Sequence, residues 1–329
     1  MTKPNATSLT IGAFAGVTAA LLTLGANTGS SLAILLYAAS ALPVLIAGLG
    51  WGNIAAIVSV AVAAIVGAAI VSPYYALLIV VITLAPAAWL SHLANLARPA
   101  SEIGGPDGSL AWYPLSDILT QLAMLVTGGM LVVGFIIGYD AALSDQMVDL
   151  LVSALREQQP EFNPDAAAIT QMKSIFGLAL PLAQGAIWVL MLFAAYYVAT
   201  RIVQASGNSL RPREDMPSAL RMHRYAIFAF LAGLVLVFAG GRAAAMGALV
   251  CGTFGAGFLL SGFAVFHFRT RGKSWRLPVL WLGYLSVFLF TIPAIFFLLS
   301  GLMDTRRAVA LTPTGKNPDK DHQDNAKDI

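Results

Sequence analysis

RIVQASGNSLRPREDMPSALRMHR, running from Arg201 to Arg224, decides how this chain is read. Arg201, Arg211, Arg213, Arg221 and Arg224 stand between two long apolar blocks, opposed only by Glu214 and Asp215. Positive charge next to membrane spans stays on the cytoplasmic side during insertion, so this loop orients every span before and after it. Composition requires such spans. Of 329 residues, 58% are hydrophobic and 11% charged, and the mean hydropathy is +0.78, whereas a soluble domain carries about a quarter charged residues. Apolar runs of span length between short polar breaks read as transmembrane helices. A barrel is excluded because stretches such as Ile54 to Val71 are apolar on every face, where barrel strands alternate.

The expected architecture is all-α: a polytopic helical membrane bundle of about nine transmembrane helices over residues 8–303, with eight as the alternative count. An outer amphipathic insert is expected at 140–173 and a disordered polar tail at 304–329. Upstream of the arginine loop, spans at Ser8–Ala26, Leu32–Gly50, Asn53–Val71 and Pro73–Leu96 are joined by turns at Gly29, Gly50, Gly52 and Pro73, which force antiparallel neighbours. The first of these is full span length and lacks a small-x-small cleavage site, so it is read as a span and not as a cleaved leader. Arg98–Ser116, with Pro99, Gly104, Gly105, Pro106, Gly108 and Pro114, reads as a turn-rich loop.

A fifth span, Asp117–Tyr139, leads into the acidic insert. There Ser144 caps a short helix to Gln158 with Met147, Leu151 and Leu155 as its apolar stripe. Asn163, Pro164 and Asp165 start a second helix that runs into the sixth span, Ser174–Gln204, where Pro181 predicts a kink. Spans at Tyr225–Gly240, Ala243–Phe268 and Pro278–Met303 follow, and Arg269, Arg271, Lys273 and Arg276 form a second cytoplasmic loop. Counting from the arginine loop puts the N-terminus in the cytoplasm, the insert outside and the C-terminal tail outside, although Arg306 and Arg307 pull the tail inward.

The chemistry-bearing residues are few. Cys251 is the only cysteine, and His92, His223, His267 and His322 show no paired ligand spacing, so no metal and no cofactor is expected. G-x-S-x-G, H-E-x-x-H and an intramembrane aspartate pair are all missing, which argues against an enzyme. No basic soluble domain is long enough for nucleic acid. His92 and Asn95, one turn apart, are either a proton or ligand contact or ordinary interfacial residues. Neutral amides and aromatics remain: Asn53, Gln121, Gln184 and Trp188, with Arg242 as an anion anchor, are the candidates for binding a small planar ligand. Hydrogen bonding between helices is the alternative role for such groups. Gly12 with Gly16, and Ala15 with Ala19, make small-x-x-x-small pairs that serve either helix packing or partner docking.

The leader, the early spans around Leu42-Pro43-Val44-Leu45-Ile46-Ala47-Gly48-Leu49-Gly50-Trp51-Gly52, the acidic insert and the arginine loop together resemble the YybS-like bacterial membrane proteins, a family whose domain has no assigned function. That resemblance implies a distant similarity to the substrate-binding S components of energy-coupling-factor vitamin transporters. It implies a cytoplasmic-membrane protein that binds or transports a small molecule, with a membrane coupling subunit or ATPase as partner besides the lipid bilayer. Gly12, Ala15, Gly16 and Ala19 would dock that partner. The other reading of the same chain is a non-transporting scaffold or cell-envelope assembly factor.

Overall fold

In lipid every backbone polar group must be satisfied within the protein, so a chain this apolar folds into helices wherever it meets hydrocarbon. The computed structural model describes residues 6–27, 32–137, 141–159, 161–306 and 309–312. Helix α1 (Ala6–Ala26) is followed by α2 (Ala33–Ala39), α3 (Ala41–Trp51) and α4 (Asn53–Ile70). Gly52, at φ 89°, supplies the left-handed backbone that reverses the chain between α3 and α4. Ser72 then accepts a hydrogen bond from the Tyr75 N–H at 3.1 Å, and Pro73 starts α5 (Pro73–Ile79) at a position that needs no donor. A π turn, Val80–Leu84, separates α5 from α6 (Ala85–Ala94). Pro86 explains it: the ring has no N–H for the Ile82 carbonyl and crowds it, and one widened turn relieves both.

Arg98–Ser116 is more ordered than a loop. Strands β1 (Ala97–Pro99) and β2 (Leu110–Trp112) pair antiparallel, with Ala97 opposite Trp112. Then come α7 (Leu115–Ile137), the insert helix α8 (Ala141–Gln158) and the long α9 (Ala166–Ala205). The cap of α9 is Asp165, whose carboxylate accepts from the Ala168 N–H at 2.7 Å, two residues beyond the expected Asn163. α9 is continuous through Pro181. A short α10 (Met216–Ala219) lies in the arginine loop, before α11 (Ala226–Val237) and α12 (Gly241–Arg269). The α9–α12 pair is the spine, and its close approach rests on glycine: a Cβ on Gly252 would run into the Leu182 carbonyl, and one on Gly185 would lie 2.9 Å from the Leu249 carbonyl.

The last apolar stretch departs from expectation. α13 (Arg276–Leu289) and α14 (Thr291–Met303) are bent by 118° where one continuous helix is expected. Phe290 is extended between them, at φ −134° and ψ 138°, and Pro293 sits in the first turn of α14, where its missing N–H costs nothing. α14 returns along α12, with Gly262 against the Phe297 carbonyl and Gly301 against the Phe258 carbonyl. Asp304 thereby reaches Arg221 at 2.6 Å. Beyond it β3 (Leu311–Thr312) joins β2, and the Trp112 indole donates to the Thr312 hydroxyl at 2.6 Å. Two expectations change. The chain up to Thr312 ends on the same face as the arginine loop and not opposite it, and residues 309–312 are strand or its approach and not disordered. Residues 313–329 of the expected disordered tail lie outside the described residues.

Among the described residues, six helices are long and apolar enough to cross a membrane, or seven if the bent pair is one span; Leu35–Trp51 and Ala226–Val237 are shorter apolar helices. Of the expected nine spans, or eight in the alternative count, six to seven are thus long enough to cross among the described residues. One face gathers the start of α1, the ends of α3 and α6, the sheet and the arginine loop: Ser8 Oγ donates to Trp51 O at 3.4 Å, Asn95 Nδ2 to Gly48 O at 2.9 Å, and Arg211 Nη1 to Ala94 O at 3.2 Å. The α8 insert and the α11–α12 turn share a cleft at the other ends of α9 and α12.

Candidate functional site

On the insert face, α7, α9 and α12 diverge around Pro181 and leave a cleft of about 680 Å³. Met130, Leu131, Phe135, Met246 and Leu249 make its walls apolar, and Gln184 and Arg242 bring the polar groups. Pro181 and Arg242 also line an adjoining vestibule of about 1440 Å³, which reaches Ser144 and Asp145 on α8 and Lys173 on α9. Lys173 pairs with Asp149 of α8 at 3.0 Å, so one ion pair ties the insert to this mouth. Pro181 has no N–H to give the Gly177 carbonyl, which leaves that backbone acceptor in the vestibule wall without its helical donor.

Arg242 is held by its turn. Gly240 and Gly241 have φ of 75° and 54°, conformations that a side chain disfavours, and they start α12 one residue before the arginine. The N-cap residue of α12, Gly240, has no side chain with which to cap it. A cation in the first turn opposes the helix dipole by about 0.3–1 kcal/mol. An anion placed there would meet the guanidinium and the first N–H groups of α12 together. The cleft can thus take a molecule with one anionic group and an apolar body, while Gln184 offers both a donor and an acceptor.

The other expected site residues are dispersed. Asn53 is exposed at the start of α4, beside the Trp51 turn. Gln121 lines a separate cleft with Tyr113, Asp117, Thr120 and His223, and the Thr127–Thr253 hydroxyl contact of 2.7 Å stands between it and the Gln184 cleft. The two amides therefore do not share one central pocket. Trp188 packs edge-on against Tyr37, with ring centroids 5.5 Å apart. His92 stacks at a tilt on Trp89, and Asn95 caps the end of α3. Gly12 and Gly16 face α4 so closely that a Cβ would lie 2.7 Å from the Ala55 carbonyl and 2.5 Å from the Ser59 carbonyl. With Ala19 also buried and Ala15 half-buried, that face packs within the bundle and is not open for a partner to dock.

Ion pairs that the sequence does not announce organise the arginine-loop face. Arg211 pairs with Glu214 at 2.5 Å, and each side chain is only 9% exposed. Arg221, 6% exposed, pairs with Asp304, and burial pulls its guanidinium below the usual arginine range against the opposing pull of that carboxylate. Arg271 lies 2.6 Å from Asp215 and holds that carboxyl below the usual carboxylate range. Only an acid directly after an apolar helix, as Asp304 is, hinted at such a partner.

The fold is that of a multi-pass membrane protein built of helices, with one small three-stranded sheet on the arginine-loop face. Comparison with protein-family models, with curated proteins and with solved structures gave no match.

Proposed function

We propose that the chain is a small-molecule binding or transport subunit of the cytoplasmic membrane, loaded from the insert face. The observation that carries this reading is the cleft at Pro181, where Gln184, Arg242 and the uncapped start of α12 meet on apolar walls. The ligand it suits is small, with one anionic group over Arg242 and a planar or apolar body between Met130, Phe135 and Leu249. With no nucleotide motif in the chain, active transport needs a partner ATPase or an ion gradient, as the resemblance to S components also implies. No catalytic step belongs to this reading.

The arginine-loop face is then cytoplasmic by its charge. On this reading the N-terminal helix start and Thr312 lie on that side and the insert lies outside; the six long helices and the two shorter ones, Leu35–Trp51 and Ala226–Val237, make eight crossings, with α13 and α14 as a hairpin that returns to its own side. A scaffold reading draws on the same cytoplasmic face, where the Arg211–Glu214, Arg221–Asp304 and Arg271–Asp215 pairs order a charged surface. Crosslinking from Arg213 in cells separates the two: a recovered ATPase subunit favours transport, and recovered envelope-synthesis proteins favour scaffolding.

Thermal melts of the purified protein against water-soluble vitamins and nucleobases test the cleft, because a ligand that binds only the folded state raises the melting temperature. An anionic member of the panel is expected to stabilise the wild type and not the variant carrying Gln184→Leu and Arg242→Gln. No stabilisation across the panel, or an equal shift in the variant, sinks the proposal.

A further inference from the structure

We propose that the arginine-loop face holds the phosphate of an anionic phospholipid between Arg201 and Arg213. This does not rest on the cleft of the insert face. The last turns of α9 present Tyr197, Thr200, Arg201 and Gln204, and the loop Arg211–Pro217 folds back over them, leaving a cleft of about 920 Å³. Its charges divide cleanly. Glu214 is taken by Arg211, and Asp215 by Arg271. Arg201 rests over the Tyr197 ring at 5.9 Å, and among the described residues neither Arg201 nor Arg213 has a carboxylate partner. The two acids of the cleft are thus already neutralised by other arginines, and two exposed guanidiniums remain facing the same space.

Guanidinium groups recognise phosphate through parallel N–H donors, and the Gln204 amide adds a further donor from the same wall. The lipid source follows from what adjoins the cleft. Ile187, Ala194 and Val198 are exposed along one side of α9, and that apolar stripe leads into Tyr197 and Arg201. An acyl chain lying on the stripe brings its headgroup to the arginines, and the tyrosine marks the interface as belt aromatics do. Basic pockets beside spans on the cytoplasmic side suit anionic headgroups in this way. Pro212 and Pro217 stiffen the loop on either side of Arg213, so little order has to be gained on binding.

The experiment is a melt of the purified full chain in neutral detergent, titrated with phosphatidylglycerol, phosphatidylcholine or glycerol 3-phosphate at matched concentrations. Phosphatidylglycerol is expected to raise the melting temperature, more at low salt than at high salt, and the other two are not. Arg201→Gln and Arg213→Gln should each weaken phosphatidylglycerol binding about fivefold, and together about thirtyfold, from roughly one surface arginine's worth of attraction apiece. Arg271→Gln, which strips Asp215 of its partner and leaves a bare carboxylate in the cleft, should also weaken binding, whereas Arg156→Gln on the opposite face should leave it unchanged. Should the double variant not fold, native mass spectrometry of lipid retained by each single variant carries the test. Undiminished lipid binding in the single or double variants overturns the site. An equal shift from glycerol 3-phosphate overturns the lipid assignment in favour of a soluble phosphate ligand, and an equal shift from phosphatidylcholine overturns recognition of net charge.

Discussion

Gly252, Gly262 and Gly301 decide how closely the C-terminal helices approach, because each faces a carbonyl of another helix, those of Leu182, Phe297 and Phe258. Between helices in lipid there is little hydrophobic drive, and close van der Waals contact takes its place. Gly252→Ala would push α9 from α12 and should cost about 1–3 kcal/mol, read as a lower melting temperature in detergent. Gly128 in α7 is the control, since a Cβ there meets nothing within 4 Å and Gly128→Ala should be neutral or better. The opposite kind of residue is Arg221, a charge kept indoors by Asp304. Asp304→Ala strands that charge and should cost about 3–5 kcal/mol, whereas Arg221→Met combined with Asp304→Leu should cost less than either change alone. Additive losses in the four-way comparison of melts would mean the two side chains do not depend on each other.

At the scale of elements, α8 shows where a stripe read from the sequence rotates when the helix docks. Met147, Leu151 and Leu155 recur at one spacing, but the side that meets α9 carries Ser144, Val148 and Val152, which are buried, while Met147 is 45% exposed. Both stripes are apolar, and periodicity alone gives no reason to choose the narrower, β-branched one. The exposed ion pair between Lys173 and Asp149 flanks the docked stripe. Val148→Asp with Val152→Asp should therefore release α8 and speed trypsin cleavage at Arg156, with abundance in the membrane unchanged. Met147→Asp with Leu151→Asp should leave cleavage as in the wild type. Equal cleavage of both variants would place the docking stripe elsewhere. The same contrast runs through the other elements. The starts at Pro73 and at Gly240 with Gly241 come out within a residue or two of where the residues put them, but the expected Ser144 cap does not, since α8 already begins at Ala141 and Ser144 lies inside it. The π turn before Pro86 and the sheet at Ala97–Trp112 do not, since the first needs a neighbouring proline to be read as a strain and the second is built of three-residue strands broken by Pro and Gly, its third strand about two hundred residues away.

For the whole molecule, the helical class and the arginine loop were legible because composition and charge act locally, residue by residue along the chain. The side of the C-terminus was not, because it turns on parity, and parity turns on one extended residue. Phe290 carries no special sequence signal; a 26-residue reading of Pro278–Met303 as one apolar span is satisfied whether the stretch crosses or doubles back. The site was half legible for a similar reason: Gln184 and Arg242 belong together only once α9 and α12 pack side by side, and Gln121 is separated from them by the Thr127–Thr253 contact that crosses the bundle. The doubling back has a consequence that reporter fusions can read. If α13 and α14 form a hairpin on the arginine-loop face, reporters placed after Gly207, after Gly272 and after Thr312 should all report the same compartment, and one placed within 158–163 should report the other. The Arg221–Asp304 pair and the pairing of Leu311–Thr312 with Leu110–Trp112 require that result, since neither contact can form across a bilayer. Agreement of the Gly207 and Gly272 fusions with a Thr312 fusion on the opposite side would mean that α13 and α14 together make a crossing, and would break the sheet and the ion pair at once.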